Sequence, residues 1–147
     1  MGSRPGKQEA FMNHPAEPVH PNMYIQEDDG ALRLLFLQCG QCGRLSFPAS
    51  SYGCRHCGAP SEAGSVVRRP GLARLRRAVT VHQNLSPGLA APYVVGELEL
   101  APGIVEEAVL DVPDEQGLTP GMTVRAVARD AGEGRYVCRF VPAEEAA

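Results

Sequence analysis

A chain of 147 residues, 44% of them hydrophobic, can build one ordinary domain or two small ones around a real core, and a net charge of −3 argues against a protein that coats nucleic acid. The longest wholly apolar run, Leu34 to Leu37, is far short of a membrane span, and no charged segment followed by a hydrophobic one opens the chain, so no membrane partner is expected. Five cysteines, four of them in two Cys-x-x-Cys pairs, leave no disulfide framework and point to a reducing compartment, the cytoplasm.

Residues 1–22 carry Pro5, Pro15, Pro18 and Pro21 with little apolar periodicity, and read as a proline-rich irregular arm that lies on another surface or is loose in water. Residues 23–67 read as a zinc ribbon. Met23 to Gln26 and Leu32 to Leu37 flank Glu27-Asp28-Asp29-Gly30, and Asp-Gly between two short apolar runs is a hairpin signal. The second strand delivers the chain to Cys39-Gly40-Gln41-Cys42-Gly43. Arg44 to Phe47 then forms a short strand stopped by Pro48, and Tyr52 precedes Cys54-Arg55-His56-Cys57-Gly58. Each pair has two residues between its cysteines and a glycine directly after, and eleven residues separate Cys42 from Cys54. A tight turn in each pair puts both thiolates on one side, and the glycine permits the positive φ with which backbone amides approach the sulfurs. Two such knuckles make a tetrahedral sulfur cage of Cys39, Cys42, Cys54 and Cys57. Structural zinc is its default occupant, because four thiolates suit a soft, redox-silent ion and leave no open position for water; iron there would give a rubredoxin-like electron carrier.

Residues 68–142 change to a period of two. Arg74 to His82 puts Leu75, Val79 and Val81 on one face with Thr80 and His82 on the other; Tyr93 to Leu100 turns Val94, Leu98 and Leu100 inward and Glu97 and Glu99 outward. The remaining strands set Ala108, Leu110 and Val112 against Glu107 and Asp111, set Met122, Val124, Ala126 and Ala128 against Arg125 and Arg129, and place Tyr136, Cys138 and Phe140 on one apolar face. Five short strands separated by turn signals make a small barrel, and the five-stranded OB-fold fits this length. Residues 143–147 are an acidic tail. The expected fold class is all-β, an N-terminal four-cysteine ribbon followed by an OB-fold.

These residues resemble a known family: proteins that join a rubredoxin-like zinc ribbon to an OB-fold and accompany thiolase-type enzymes of acyl-CoA metabolism. The resemblance covers roughly residues 32–142. It is carried in the ribbon by the four cysteines with Gly43, Arg44, Phe47-Pro48 and Gly58, and in the barrel by Val79-Thr80-Val81-His82, Pro92-Tyr93-Val94-Val95 and Gly121-Met122-Thr123-Val124-Arg125. The resemblance implies a non-catalytic accessory subunit of a hetero-oligomer. Its partner would be a thiolase, a hydroxymethylglutaryl-CoA synthase, an acyltransferase, or a steroid-side-chain aldolase or hydratase, and a coenzyme A thioester would be bound at the interface. The proline-rich arm and the Asp29-Gly30 hairpin stand where helices often precede the ribbon in such proteins.

The residues themselves supply little catalytic chemistry. Cys138 lies between Tyr136 and Phe140 on the core face, the setting of an inert small hydrophobe, whereas a nucleophile needs a base and an electropositive surround. His82 faces away from the core at the start of a long loop and is the best polar candidate, although a surface histidine bonded to backbone is the commoner case. His56 sits inside a knuckle whose ligand positions cysteine already fills. Glu106-Glu107 and Asp114-Glu115 are neighbours in sequence and so point to opposite strand faces, unlike an acid–base pair. Arg68, Arg69, Arg74, Arg76 and Arg77 concentrate five of fourteen basic residues into ten positions. They are either a solvated linker or a contact for coenzyme A phosphates or partner acids, which guanidinium forks bind bidentately. Two other functions compete: a single-strand nucleic-acid module, disfavoured by 5% aromatic content with only Tyr93 on the barrel's non-core face, and electron transfer through an iron-loaded cage.

Overall fold

The structure, a computed structural model, describes residues 16–85 and 87–143. The expected arm over 1–15 and the acidic tail beyond 143 lie outside the described residues. The strands run in chain order as β1 (Glu17–Pro18), β2 (Tyr24–Gln26), β3 (Leu32–Cys39), β4 (Leu45–Ser46), β5 (Gly64–Pro70), β6 (Leu72–Val81), β7 (Tyr93–Ala101), β8 (Ile104–Leu110), β9 (Thr123–Gly132) and β10 (Arg135–Pro142), with one 3₁₀ turn at Ser61–Ala63 and no α-helix among the described residues. The protein is all-β, in two sheets.

β3 is the spine of the ribbon. Its near-continuous apolar run leaves Leu34, Leu35, Phe36 and Leu37 all buried, as expected of a strand covered on both faces. The predicted hairpin is present: β2 runs antiparallel to β3 with Tyr24 opposite Leu34, and the turn closes by a Gly30 N–H donating to the Glu27 carbonyl at 2.9 Å, with Gly30 at φ +88°. β4 covers the end of β3 on the same side, and β5 lies along its other edge from Cys39↔Gly64 to Arg33↔Pro70. β5 escaped the sequence pattern because it is an outer strand with Val66, Arg68 and Arg69 all exposed, so no alternation marks it. The ribbon sheet therefore reaches Pro70, and the expected boundary between 67 and 68 falls inside a strand.

β6 to β10 close into a five-stranded barrel. β6 pairs with β7, β7 with β8 and β6 with β9, all antiparallel; β9 pairs with β10, and β10 returns parallel to β8 at Phe140↔Leu110. Numbered from β6, the circuit reads 1-2-3-5-4-1, the OB-fold. Leu75, Val94, Leu98, Leu110, Val124, Ala126, Tyr136 and Phe140 fill it. Gly96 sits where any Cβ would come 2.8 Å from Leu110 Cδ1. Three inward assignments need correction. In β6 the register steps from Leu75↔Leu98 to Arg77↔Glu97, so Arg76 is a bulged extra residue; the alternation shifts by one beyond it, Val79, expected inside, is 54% exposed, and Val81 shares its outer face while Thr80, expected outside, stands opposite buried Val94. A second bulge between Glu99 and Ala101 makes Ala101 the buried residue and leaves Leu100 only half-buried.

Ribbon and barrel share one core: Tyr24, Leu32, Leu34, Phe36 and Phe47 pack in the same cluster as Leu75, Leu98, Tyr136 and Phe140. The chain crosses between them at Gly71, whose N–H donates to the Leu32 carbonyl (3.1 Å) and whose carbonyl accepts from the Ala126 N–H (2.7 Å). The Tyr136 hydroxyl accepts the Gln26 N–H at 2.8 Å, tying the hairpin to β10. The described end of the arm lies on the barrel: β1 runs parallel to β10, with the Val19 N–H donating to the Tyr136 carbonyl at 2.9 Å.

Candidate metal centre and surrounding surfaces

The two knuckles are built alike. Gly43 donates its N–H to the Cys39 carbonyl and Gly58 to the Cys54 carbonyl, each at 3.0 Å; Cys39 donates to the Arg44 carbonyl and Cys54 to the Ala59 carbonyl, each at 2.9 Å. Gly43 and Gly58 lie at φ +78° and +80°, the left-handed conformation for which glycine is suited. Inside each turn two amides point at the first sulfur: Gln41 and Cys42 N–H reach Cys39 Sγ at 3.3 and 3.4 Å, and His56 and Cys57 N–H reach Cys54 Sγ at 3.3 and 3.4 Å. Gly40 is required by space, since a Cβ there would collide with the Ala63 carbonyl.

The four sulfurs all lie within 4.8 Å of one another, with Cys42 and Cys54 at 3.4 Å and Cys39 and Cys57 at 3.6 Å. A tetrahedron with Zn–S bonds of about 2.3 Å has S···S edges of roughly 3.8 Å, so the set brackets a zinc cage. The chemistry of the donors agrees. The amides of Cys57 and then His56 bring the Cys54 thiol down to about 6, and those of Cys42 and Gln41 lower that of Cys39, so the first cysteine of each knuckle favours the thiolate a metal needs; without the ion the shared sulfur contacts and burial hold Cys42 and Cys57 up as the protonated partners, whose protons a bound metal displaces. All four positions are thiolates, which leaves no place for a reacting water and makes the centre structural.

Around the cage, Arg44 Nη1 donates to His56 Nδ1 at 3.2 Å on an exposed surface, linking one knuckle to the other. Ser46, 1% exposed, accepts the Arg55 N–H on its hydroxyl at 3.4 Å, and Arg55 Nη2 donates to the Phe47 carbonyl at 3.2 Å. His56 thus lies outside the ligand set, in contact with Arg44 beyond the first knuckle.

The arginine run does not form one patch on one element. Arg68 and Arg69 are on β5 of the ribbon, and Arg74, Arg76 and Arg77 on β6 of the barrel. Arg68 pairs with Glu27 at 2.7 Å and Arg77 with Glu97 at 2.8 Å, while Arg74 stands opposite Glu99 in register. Among the described residues, Arg69, Arg74 and Arg76 have no carboxylate within salt-bridge distance. His82 is exposed just past the end of β6, and Tyr93, half-buried, opens β7 opposite Val81. Cys138 is packed against the core, and burial pushes its thiol up to about 12.

A feature the sequence did not mark is the seam of the barrel. β8 meets β10 at the single pair Phe140↔Leu110. Ahead of it the seam is filled from the ribbon: Tyr24, which packs tilted against Tyr136, accepts the His20 N–H on its hydroxyl (3.2 Å) and donates to the Tyr136 carbonyl (3.4 Å). A cavity of about 220 Å³ remains there.

A four-thiolate ribbon fused to an OB-fold barrel defines a class of two-domain, zinc-stabilised protein. Residues 30–62 match the family described as the ChsH2 rubredoxin-like zinc ribbon domain, and residues 66–129 match the ChsH2 C-terminal OB-fold domain. The chain belongs to this zinc-ribbon and OB-fold family. Among solved structures it is similar to one titled "Ltp2-ChsH2(DUF35) aldolase", with a TM-score of 0.63 and 26% identity over 76% of this chain and 86% of that one. No match is found among curated proteins. No helix among the described residues is long and apolar enough to cross a membrane.

Proposed function

We propose that this chain is the non-catalytic subunit of an acyl-CoA-processing enzyme complex, an aldolase or a related thiolase-type enzyme, in which it docks on the catalytic partner and helps to place the acyl-CoA. The observation that carries the reading is the match of both domains, in order, to the two ChsH2 domains, together with the similarity to a ChsH2-containing aldolase structure. The chemistry of the chain supports a scaffold role. Its metal centre is closed, and Cys138 is held as a neutral thiol far above working pH, so it is a poor nucleophile. The thiolate cage suits the reducing cytoplasm.

Within the complex, Arg69, Arg74 and Arg76 are the guanidinium groups best placed to meet coenzyme A phosphates or partner acids, with His82 and Tyr93 at the neighbouring loop; Arg68 and Arg77 already hold acids of this chain. The test is copurification from the native host followed by assay. The chain should bring down an acyl-CoA enzyme and turn over no acyl-CoA by itself. Replacing Arg69, Arg74 and Arg76 with glutamine should weaken binding of partner or coenzyme A by about 1.5 to 3 kcal/mol per bonded arginine. Turnover by the isolated chain, or recovery of the chain with no enzyme subunit, overturns the reading.

A further inference from the structure

The cavity at the barrel seam has the features of a binding site. It is a half-open cleft lined by Tyr24, Leu34 and Phe47 from the ribbon and by Leu100, Ala108 and Cys138 from the barrel, so it exists only where the two domains meet. Its origin is topological. β10 is covered by β1 at Arg135–Tyr136 and by β8 at Phe140, and between these the β8 edge ahead of Leu110 has no strand beside it. The bulge before Ala101 adds to this, since it leaves Leu100 half-buried beside the cavity. The space is about 220 Å³. An apolar cavity of roughly 150 Å³ takes a benzene ring, so by proportion this one takes a group of about eight carbons.

The edge of the cavity is polar and mixed: exposed His20 and Glu107, half-buried Glu106 and Arg139. Arg139 already donates to the Cys138 carbonyl at 3.2 Å. Of the two glutamates, Glu106 lies on the same strand face as Ala108, so its carboxylate opposes a carboxylate ligand at this edge and tolerates an uncharged polar end. Cys138 borders the space as a neutral thiol, which makes a soft apolar wall rather than an attachment point.

We infer that the ribbon–barrel seam is a non-covalent binding site for an aliphatic group of about eight carbons with an uncharged polar end. The site itself stands on the cavity alone; that the chain arrives as an acyl thioester rests on the acyl-CoA reading above.

The experiment is an NMR titration of the zinc-loaded chain with 1-octanol, octanoate and octanoyl-CoA, observing backbone amides. With octanol, the amides of Ala108, Cys138 and Phe47 should shift together, and the exposed Tyr52 should not; octanoate should bind more weakly. Ala108→Leu fills the room of about three methylenes and should weaken octanol binding at least about tenfold, and Cys138→Leu should do the same by filling the opposite wall. Val79→Thr, on the outer face, should leave it unchanged. Zinc content and cooperative unfolding establish that each variant is folded. The site is overturned if octanol leaves the lining amides unmoved, or if both folded, filled variants bind it as tightly as wild type. If octanol binds the lining and octanoyl-CoA does not, the site stands and the thioester source is refuted; copurification tests the complex separately.

Discussion

The crossing at Gly71 offers a sharp test of how the two domains are joined. A Cβ built there lies 2.8 Å from the Leu32 carbonyl oxygen and 2.8 Å from Ala126 Cβ. Neither neighbour is the free end of a flexible side chain. Restoring ordinary contact requires a displacement of roughly 0.6 Å on both sides, in a part of the core already close-packed. Such overpacking costs about 1–3 kcal/mol. The displacement also stretches both hydrogen bonds of Gly71, to Leu32 and from Ala126, each with a net worth of about 1 kcal/mol. Gly71→Ala should therefore cost about 2–5 kcal/mol and, for a chain of this size, lower the melting temperature by roughly 4–20 °C. Urea unfolding of the zinc-loaded protein, followed by tyrosine fluorescence because the chain has no tryptophan, gives the number. Gly30→Ala is the control: its Cβ meets nothing within 4 Å, and only its φ of +88° is strained, for about 1–2 kcal/mol. A Gly71→Ala protein within 0.5 kcal/mol of wild type refutes the steric argument, and with it the idea that this residue fixes the ribbon on the barrel.

Cys54→Ala should hold well under one equivalent of zinc and lose the ribbon's amide protection: the knuckles bury only Cys39, Cys54 and Ala59, whereas a structural zinc supplies on the order of 10 kcal/mol. Elemental analysis finding a full equivalent in that variant, or iron in the wild type, would count against the zinc cage. Tyr136→Phe leaves the Gln26 N–H without its acceptor and should cost about 1–2 kcal/mol in the same urea experiment. Burial raises the Cys138 thiol from its ordinary 9.0 to about 12, so the unfolded chain loses this proton first; stability should be unaffected by it below pH 9 and fall as pH rises from 9 towards 12. Cys138→Ala should flatten that alkaline limb in a pH series of unfolding midpoints, and an unchanged limb would remove Cys138 as its cause.

What could be read from the chain follows from how local the cause is. The metal centre is legible because a knuckle is specified by five consecutive residues, and Gly43 and Gly58 adopt the positive φ their position after the cysteines demands. The strands of the barrel are legible because one face of each is buried, which imprints a period of two. β5 is not, since it pairs through its backbone while Val66, Arg68 and Arg69 stay exposed. The seam cavity is invisible for another reason: its walls come from Tyr24, Phe47, Ala108 and Cys138, which no local pattern relates.

The bulge at Arg76 shows how one unmarked residue redistributes a surface. Before it, Ala73 and Leu75 face inward; after it, Val79 is turned to the outside, in register with Val95, which is in register with Val109. The next row along is Arg77, Glu97 and Glu107, in the same cross-strand order. An apolar row and a charged row therefore lie side by side on the barrel wall, where the sequence alone suggested a cationic cluster beside a buried valine. Exposed pairs such as Arg77–Glu97 contribute about 0–1 kcal/mol, too little to explain five arginines by stability. The glutamates opposite Arg74 and Arg77 also neutralise much of the field that the run carries when read as a string. A ligand for this surface must therefore meet individual guanidinium groups at short range rather than a diffuse positive patch, which is why the glutamine substitutions proposed above are read per bonded arginine.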